Sequence, residues 1–463
     1  MNQTTSKTPV FAFIKQALKG EHQDFTQGSI RKGVLMLAIP MILEMMLESV
    51  FAVVDIFFLG RTEHPRQAVS TVVLTESVLT IIYSVAIALS MGATAVVARR
   101  VGEKDMNMAA KSGAQAINLA LIITVVISIA GAFFAPHILQ LMGGSAEVIA
   151  WGTPYTRIMF GGSVVIMLLF LINGIFRGAG NAVIAMWSLW IANGCNIILC
   201  PILIHYYGLT GAAIATTIGR GVGVLFQLYH LFKGKGLIRI KREHFKLDLG
   251  IFKTLFDISW VGFLQFFIAS ASWMFLARLI TRFGDDAVAG YGLAIRILMF
   301  FLLPAWGMSN AAATLVGQNL GAQQPERAEQ SVWKTARYNA IFMGLVIILF
   351  LFTSDYITAF MNKDAGVVKI ATEAIHIVSL GYIFYGVGMV VTSAFNGAGD
   401  TKTPTFINFF GFWLFQIPVA YLLAITLNWG PTGVFIAIVT AEAGISIAGV
   451  IIFRRGAWKK VKI

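Results

Sequence analysis

Twelve long apolar segments dominate this chain and restrict what it can fold into. A helix that crosses a lipid bilayer needs about 20 mostly apolar residues, and polar or Gly/Pro-containing breaks separate twelve such segments here. Their approximate positions are 34–59, 68–97, 114–135, 151–176, 182–205, 210–232, 252–282, 287–317, 335–353, 369–395, 401–427 and 431–453. We therefore predict an all-α membrane protein with twelve transmembrane helices.

The composition agrees with this interpretation and excludes a soluble protein. The chain is 57% hydrophobic and 12% charged, whereas a soluble domain is about 45–50% apolar and about 25% charged. A soluble fold of this composition could not cover its surface with polar groups. The lipid bilayer is therefore the predicted surrounding of most of the chain.

The basic residues are distributed unevenly between the predicted loops. Twelve spans place both termini on one side, and the segments on that side are rich in Lys and Arg, which marks it as cytoplasmic. The residues counted there include Arg99, Arg100, Arg177, Lys233, Lys235, Arg239, Lys241, Arg242, Lys246 and Lys253, whereas the other side has only Arg61, Arg66, Arg282, Lys363 and Lys369. We predict a multi-pass protein of the bacterial inner (plasma) membrane with cytoplasmic termini. The net charge of +13 is then a topology signal, and no nucleic-acid partner is expected.

The two halves of the chain repeat at an offset of 219 residues. The clearest match is the segment 176–180 with the segment 395–399, and beyond it the offset drifts by three, so that 208–211 matches 430–433. Each half has six spans, so the halves have the same orientation and are related by an axis along the membrane normal. We predict residues 1–32 as a cytoplasmic tail with an interfacial helix, 33–232 as one six-helix bundle, 233–251 as a basic cytoplasmic linker, and 252–463 as the second bundle with a basic tail.

Several motifs, in their order and duplication, resemble one known family. The sequences "GSIRKGVLMLAIPMI" and "VVDIFFLG" are similar to the start and end of its first helix, and "FRGAGNAVIAMWSLWIANGCNIILCP" and "FNGAGDTKTPTFINFFGFWLFQIP" are similar to its repeated later signatures. Over residues 28–453 the chain resembles the multidrug and toxic compound extrusion (MATE) family. The resemblance implies a V-shaped pair of bundles, a monomer, and export of amphipathic, often cationic compounds in exchange for H+ or Na+ by alternating access.

Carboxylates within the predicted spans are the candidates for binding the coupling ion. Glu44, Glu48 and Asp55 lie at about 0°, 40° and 20° around the first helix, so they share one face. Acids in a membrane span are costly and mark functional sites, and three on one face can take up a proton or a monovalent cation. Glu76, on the second helix, lies at a depth that overlaps theirs, so contact is geometrically feasible. Neutral acids that only pack or hydrogen bond are the alternative.

The family resemblance implies a cation site in the amino-terminal bundle. That site combines the acid of the first helix, here Asp55, with an Asn and an Asp of the fifth helix and a hydroxyl of the sixth. The Asn matches Asn196 and the hydroxyl matches Thr216 or Thr217, but Cys200 stands where the Asp would be. A thiol is a poor ligand for a hard cation. We therefore expect H+ more than Na+ at this site, with Na+ at Asp55 and Asn196 as the alternative, and no other metal or cofactor.

A second pattern of the family, with acids in the seventh and tenth helices, is not followed. The seventh helix has Gln265 in mid-span. Adaptable Met side chains and polar groups are the candidates for binding the substrate, although packing is the alternative role for each. The candidates are Asn173, Asn193, Met41, Met45, Gln265 and Arg296, with Trp273 and Trp306 as further guesses.

Two other functions compete with an efflux antiporter. A lipid-linked oligosaccharide flippase of related architecture would favour basic groups in its central cavity, to hold a diphosphate, whereas the acids clustered here favour cations. An enzyme is not expected, because the chain has no P-loop, nucleophile elbow or paired metal motif. We predict a secondary active antiporter that exports amphipathic, cationic drugs or metabolites in exchange for H+ (or Na+).

Overall fold

The computed structural model describes residues 10–20, 23–59, 65–234 and 236–463. For residues 10–12, 52–59, 65, 66 and 69 it describes the backbone but not the side chain. The described chain is almost entirely helical, because a helix satisfies its own backbone hydrogen bonds where no water is present. The helices of the amino-terminal half are α1 (Val10–Leu18), α2 (Ile30–Leu59), α3 (Pro65–Gly102), α4 (Met106–Phe133), α5 (Ala135–Leu141), α6 (Ala146–Gly161), α7 (Ser163–Gly178) and α8 (Ala182–Lys233).

The carboxyl-terminal half has a corresponding series of helices. They are α9 (Leu249–Ile280), α10 (Asp285–Gly321), α11 (Pro325–Met361), α12 (Ala365–Leu380), α13 (Tyr382–Ala398), α14 (Lys402–Asn408), α15 (Ile417–Tyr421) and α16 (Pro431–Arg454). Helix α14 continues through a π-helical segment at Phe409–Gln416 into α15, and a second π-helical segment, Leu422–Thr426, follows. These four segments together form the eleventh predicted span.

The number of membrane spans agrees with the sequence prediction. Ten helices of the described chain are long and apolar enough to cross a membrane, and α12 with α13, bent by 54°, makes an eleventh. Helix α8 has 52 residues, about 78 Å at 1.5 Å per residue, which is enough for two spans. Its backbone leaves the helical conformation at Gly208 (φ 56°, ψ −139°). Dividing α8 there gives twelve spans.

The internal repeat is visible in the backbone conformation. Three pairs of matched positions have the same positive φ angle, which residues other than Gly adopt infrequently. The pairs are Lys104 (62°) with Gln323 (58°), Gly180 (84°) with Gly399 (88°), and Gly208 (56°) with Gly430 (60°). The last pair matches only after the offset between the halves has increased by three residues. The change of offset found in the sequence is therefore also present in the backbone conformation.

Helix caps follow the same repeat. Ser145 accepts a hydrogen bond from the backbone N–H of Val148 at the start of α6, and its repeat mate Asp364 caps α12 in the same way. Asn181 caps α8, and its mate Asp400 accepts from the N–H of Thr403. Short polar side chains satisfy the first free N–H groups of a helix, so the same helix starts are specified twice in the chain.

The two halves meet closely at one end of the bundle, the end that carries α1, the start of α9 and the carboxyl-terminal residues, which we call the basic end. A Cβ atom added to Gly102 of α3 would lie 2.0 Å from the carbonyl oxygen of Gln318 in α10, and one added to Gly321 would lie 2.1 Å from that of Arg99. Gly102 and Gly321 are repeat mates, as are Arg99 and Gln318. The contact is therefore two-fold symmetric, and only glycine allows it.

Side chains add further links between the halves at the basic end. The guanidinium of Arg327 in α11 donates hydrogen bonds to the carbonyl oxygens of Phe25, Gln27 and Gly28. Gln318 donates to the carbonyl of Gly178 (2.9 Å). These bonds hold the segment before α2 and the end of α7 against the carboxyl-terminal half.

The linker between the halves is docked on α4. The side-chain amide of Gln115, which is fully buried, donates to the carbonyls of His244 and Lys246, both at 2.8 Å. Lys111 forms an ion pair of 2.6 Å with Asp248, and its hydrogen bond holds the pKa of Asp248 below the ordinary value. The linker is thus a fixed part of the amino-terminal half and not a free tether.

Candidate functional site

Glu44 lies in the middle of α2 and is only 1% exposed. Asn173 Nδ2 of α7 donates a hydrogen bond of 3.0 Å to Glu44 Oε1, and Arg177 Nη1, one turn further along α7, lies 4.0 Å from the same oxygen. A buried carboxylate is tolerated only with such partners. We call these three residues the Glu44 site.

A chain of hydrogen bonds fixes the orientation of Asn173. Its Oδ1 accepts bonds from the Ser188 hydroxyl (2.8 Å) and from Gln227 Nε2 (2.6 Å), both in α8. Because both acceptor positions of the amide are used, its Nδ2 must face Glu44. Arg177 is held by the carbonyl of Asn173 (3.3 Å) and the hydroxyl of Ser90 in α3 (3.4 Å). Four helices thus position the Glu44 site.

Glu48 lies one turn along α2 from Glu44 and is half-buried. Asn193 Nδ2 of α8 donates to Glu48 Oε2 at 3.0 Å. Glu76 is exposed, and both it and Glu48 act electrostatically on Tyr83 of α3. The guanidinium of Arg220 lies 5.3 Å from the centre of the Tyr83 ring. Glu48 and Glu76 therefore both lie near Tyr83, and a role of Glu76 in coupling stays a prediction.

Two residues that the family resemblance implies for a cation site lie next to each other. Asn196 Nδ2 donates to Thr216 Oγ1 at 2.9 Å, and whether the pair binds a cation stays a prediction. Cys200, one turn away, is fully buried and is not part of a disulfide. The side chain of Asp55 lies outside the described residues, so its relation to this pair stays a prediction.

The candidates for binding the substrate occupy different surroundings. Asn173 and Asn193 bind the two glutamates, as described above. Met45 is 5% exposed, and Met41 is completely buried, with its backbone packed against Gly307 of α10. Gln265 is 4% exposed, and its Oε1 has no hydrogen-bond partner among the described residues. Arg296 is exposed.

A cavity lies between the two halves on the axis of the repeat. Its volume is about 70 Å³, room for about two water molecules and well below the ~300 Å³ that a drug-sized ligand needs. The lining includes repeat mates from both halves, namely Ile87 with Trp306, Met91 with Asn310, Thr94 with Ala313, and Arg177 with Asn396, together with Met45, Ser90, Phe170, Phe266 and Ser393. Arg177 therefore belongs to both the Glu44 site and the cavity.

Arg177 corrects one part of the sequence analysis. We counted it with the basic loop residues that indicate the cytoplasmic side, but it is 8% exposed and its charge faces Glu44. The sequence places it at a helix end, and only the packing of α7 against α2 and α3 turns it inward. Gln227 and Ser188 were also missed, although a Gln within an apolar span is a signal that could have pointed to the network.

The fold and the site define a polytopic helical membrane protein with two repeated halves, a shared central cavity and a buried acid–base pair beside it. The MatE family model matches this chain twice, at residues 40–202 and 262–422, one match in each half. The chain belongs to the MATE family, whose members are transporters and not enzymes.

Curated relatives and solved structures agree with this assignment. The "Probable multidrug resistance protein NorM" of Thermotoga maritima is 27% identical, covering 93% of this chain and 94% of the relative. The "Multidrug export protein MepA" of Staphylococcus aureus is 22% identical, covering 92% and 94%. The structure described as an outward-facing conformation of a multidrug resistance MATE family transporter has a TM-score of 0.89 and 25% identity, covering 95% of this chain and 100% of that chain.

Proposed function

We propose that this protein is a proton-coupled antiporter that exports amphipathic cations, and that Glu44 carries the coupling proton. The observation behind this proposal is the position of Arg177, which pairs with Glu44 on one side and lines the central cavity on the other. The proton site and the cavity are therefore connected through one side chain. The relatives named above are multidrug resistance and export proteins, which supports small-molecule cargo.

The pair can couple proton and substrate through charge. When Glu44 is ionised, it neutralises Arg177, and an apolar cavity with Met45, Phe266 and Trp306 can accept a cation through aromatic and thioether contacts. When Glu44 is protonated, the uncompensated Arg177 charge repels a cation from the same cavity. Proton and substrate then exclude each other, as antiport requires. Because the cavity is small in this conformation, the halves must separate further to admit a substrate.

The surroundings of Glu44 favour H+ over Na+. Both polar neighbours of its carboxylate, Asn173 Nδ2 and Arg177 Nη1, present N–H donors to it, whereas Na+, a hard cation, needs several oxygen ligands. Sodium binding would instead use Asp55, Asn196 and Thr216, with Cys200 as a poor neighbour. We also propose a monomer in the plasma membrane with the basic end on the cytoplasmic side, by the excess of Lys and Arg there.

A flippase for diphosphate-linked lipids is the second candidate. Arg177 in the cavity lining is the observation in its favour, since an arginine can bind phosphate. The ion pair with Glu44 compensates that charge, and in the described part of the cavity lining no second arginine or lysine is present. We therefore prefer the antiporter.

Ethidium transport in proteoliposomes tests the proposal. The protein is compared with Glu44→Gln and with Glu243→Gln, a control that removes an exposed linker carboxylate, at matched reconstitution. A pH gradient and a sodium gradient are imposed separately. We expect transport driven by the pH gradient alone, its loss in Glu44→Gln, and normal transport in Glu243→Gln.

Three outcomes would contradict the proposal in different ways. Transport driven only by sodium would move the coupling site to Asp55 and Asn196. Full transport in Glu44→Gln under a pH gradient would remove Glu44 from the mechanism. No transport of ethidium or other cations, together with scrambling of a fluorescent diphosphate lipid, would favour the flippase.

A further inference from the structure

A second buried acid, Glu442, lies in the carboxyl-terminal half, where no coupling residue was expected. It is on α16, 8% exposed, and about 17 Å from either end of that helix at 1.5 Å per residue. It therefore lies near the middle of the membrane. Neither the predicted nor the observed amino-terminal site includes it.

The environment of Glu442 differs from that of Glu44 in the charge around it. Glu44 has Arg177, but no ion pair among the described residues includes Glu442, and no basic side chain acts on it. A carboxylate buried without a cation is strongly unfavourable when ionised. Such a group must bind either a proton or a cation that arrives from solution.

Phenol groups supply the polar neighbours of Glu442. The hydroxyl of Tyr385 on α13 lies close to the Glu442 carboxylate and has no hydrogen-bond partner of good geometry among the described residues. Tyr291 on α10 is close enough to Tyr385 to act on it electrostatically, and its hydroxyl is also without a partner in the described chain. Both tyrosines are 8% exposed. The site therefore holds two buried hydroxyl groups whose bonding capacity is unused.

The remaining titratable groups near α16 are engaged elsewhere or exposed. Glu373 on α12 accepts a hydrogen bond from Thr432 at the amino-terminal end of α16, and His376 is bonded to Ser354 of α11. The hydroxyl of Tyr382 on α13 donates to the carbonyl of Leu298 (2.8 Å). The ring of Tyr421 contacts the guanidinium of Arg282, 5.9 Å from the ring centre. Lys402 of α14 and Asp257 of α9 are both exposed. None of them neutralises Glu442.

We propose that Glu442 is a second proton-binding site, with Tyr385 Oη as the hydrogen-bond partner of its carboxyl group. A proton is the ligand that this chemistry fits, because a metal cation would need several oxygen ligands and one carboxylate with two phenols offers few. In the transport cycle, which rests on the function proposed above, the proton enters from solution and leaves to the opposite side as the halves rearrange.

The positions of the tyrosines indicate from which end of the bundle protons reach Glu442. The ring of Tyr291 stacks on Phe435 (6.4 Å between centroids), and Phe435 lies two turns before Glu442 on α16. The rings of Tyr382 and Tyr385 are 6.1 Å apart. The phenols thus extend from Glu442 towards the amino-terminal end of α16, which is the end away from the basic end.

Infrared difference spectroscopy on the full-length protein, between acidic and alkaline pH, tests proton binding without any transport. The variants are Glu442→Gln, Tyr385→Phe and the control Glu373→Gln, which removes a carboxylate of the same half. Each variant must elute as a single monodisperse peak in size-exclusion chromatography. We expect a C=O stretching band of a protonated carboxylic acid that disappears in Glu442→Gln. The same band should shift in Tyr385→Phe, because its hydrogen bond is lost, and stay unchanged in Glu373→Gln.

Transport measurements then separate this inference from the proposed antiport. Loss of the band in Glu442→Gln supports the proton site even if the wild-type protein moves no cation, in which case only the antiport proposal fails. Conversely, an unchanged band in a folded Glu442→Gln protein overturns the inference, whatever the transport result. If the band is lost while the pH profile of efflux equals that of wild type, the role of Glu442 in the cycle is refuted.

Discussion

The two-fold symmetric glycine contact at the basic end leads to a prediction about conformation. Gly102→Ala would place a methyl group 2.0 Å from the carbonyl oxygen of Gln318, where ordinary contacts are 3.4–4 Å. The obstacle is backbone, which cannot rotate away as a side chain would. Helices α3 and α10 must therefore separate by about 1.4 Å at this point to restore an ordinary contact, and the cost resembles that of overpacking a core, about 1–3 kcal/mol.

This cost changes the balance between two conformations if the contact between α3 and α10 is closed in one of them and open in the other. Alternating access requires the basic end to open when the other end closes. A cost of about 1–3 kcal/mol on the closed basic end would then shift the equilibrium by about 5- to 150-fold towards the conformation in which this end is open. Gly444→Ala is the matched control, because a Cβ there meets nothing within 4 Å.

Distances between spin labels at the opposite end of the bundle measure this shift. Leu141 and Phe360 are repeat mates and are 88% and 92% exposed, so cysteines there carry labels without disturbing packing, once Cys195 and Cys200 are replaced by Ala. We expect Gly102→Ala to increase the population with the shorter distance, and Gly444→Ala to leave it as in wild type. An unchanged distribution in a folded Gly102→Ala protein would refute the idea that this contact belongs to one conformation.

Three further predictions concern single contacts. Arg177→Gln leaves Glu44 without its cation and should lower the free energy of unfolding by about 3–5 kcal/mol; a melting temperature equal to that of wild type in detergent would show that the pair does not stabilise the fold. The pKa of Asp248 is lowered by its hydrogen bond from Lys111. The linker therefore gains stability that is present above the ordinary pKa of 3.8 and is lost as the pH falls through the lower pKa of the folded state. Hydrogen exchange of the linker amides should therefore be faster in Asp248→Asn than in wild type at neutral pH, with the difference vanishing in acid, and a difference that persists in acid would contradict this. Gly208→Ala places a side chain at φ 56°, ψ −139°, which should cost about 1–3 kcal/mol and lower the thermal stability, whereas Gly194→Ala in regular helix, with no atom within 4 Å of its Cβ, should not.

The sequence alone determined the membrane class, the twelve spans and the repeat. Length and hydropathy fix whether a segment can cross a bilayer, and the repeat register follows from matched residues such as Gly180 and Gly399. The face of α2 that carries Glu44 and Glu48 also followed from sequence, because the spacing of residues in a helix fixes which of them lie together.

The partners of these acids depended on tertiary structure. Spacing within α2 says nothing about which helix packs opposite, and the groups that bind Glu44 come from α7, about 130 residues later in the chain. For the same reason Arg177 was read as a loop charge. In the sequence Glu442 is a lone ionisable residue in an apolar span, and only the packing of α13 places Tyr385 beside it. The sequence determines which ionisable groups enter the membrane. Only the packing of helices that are distant in the chain decides which of these groups are neutralised by a basic side chain and which are neutralised by binding a proton.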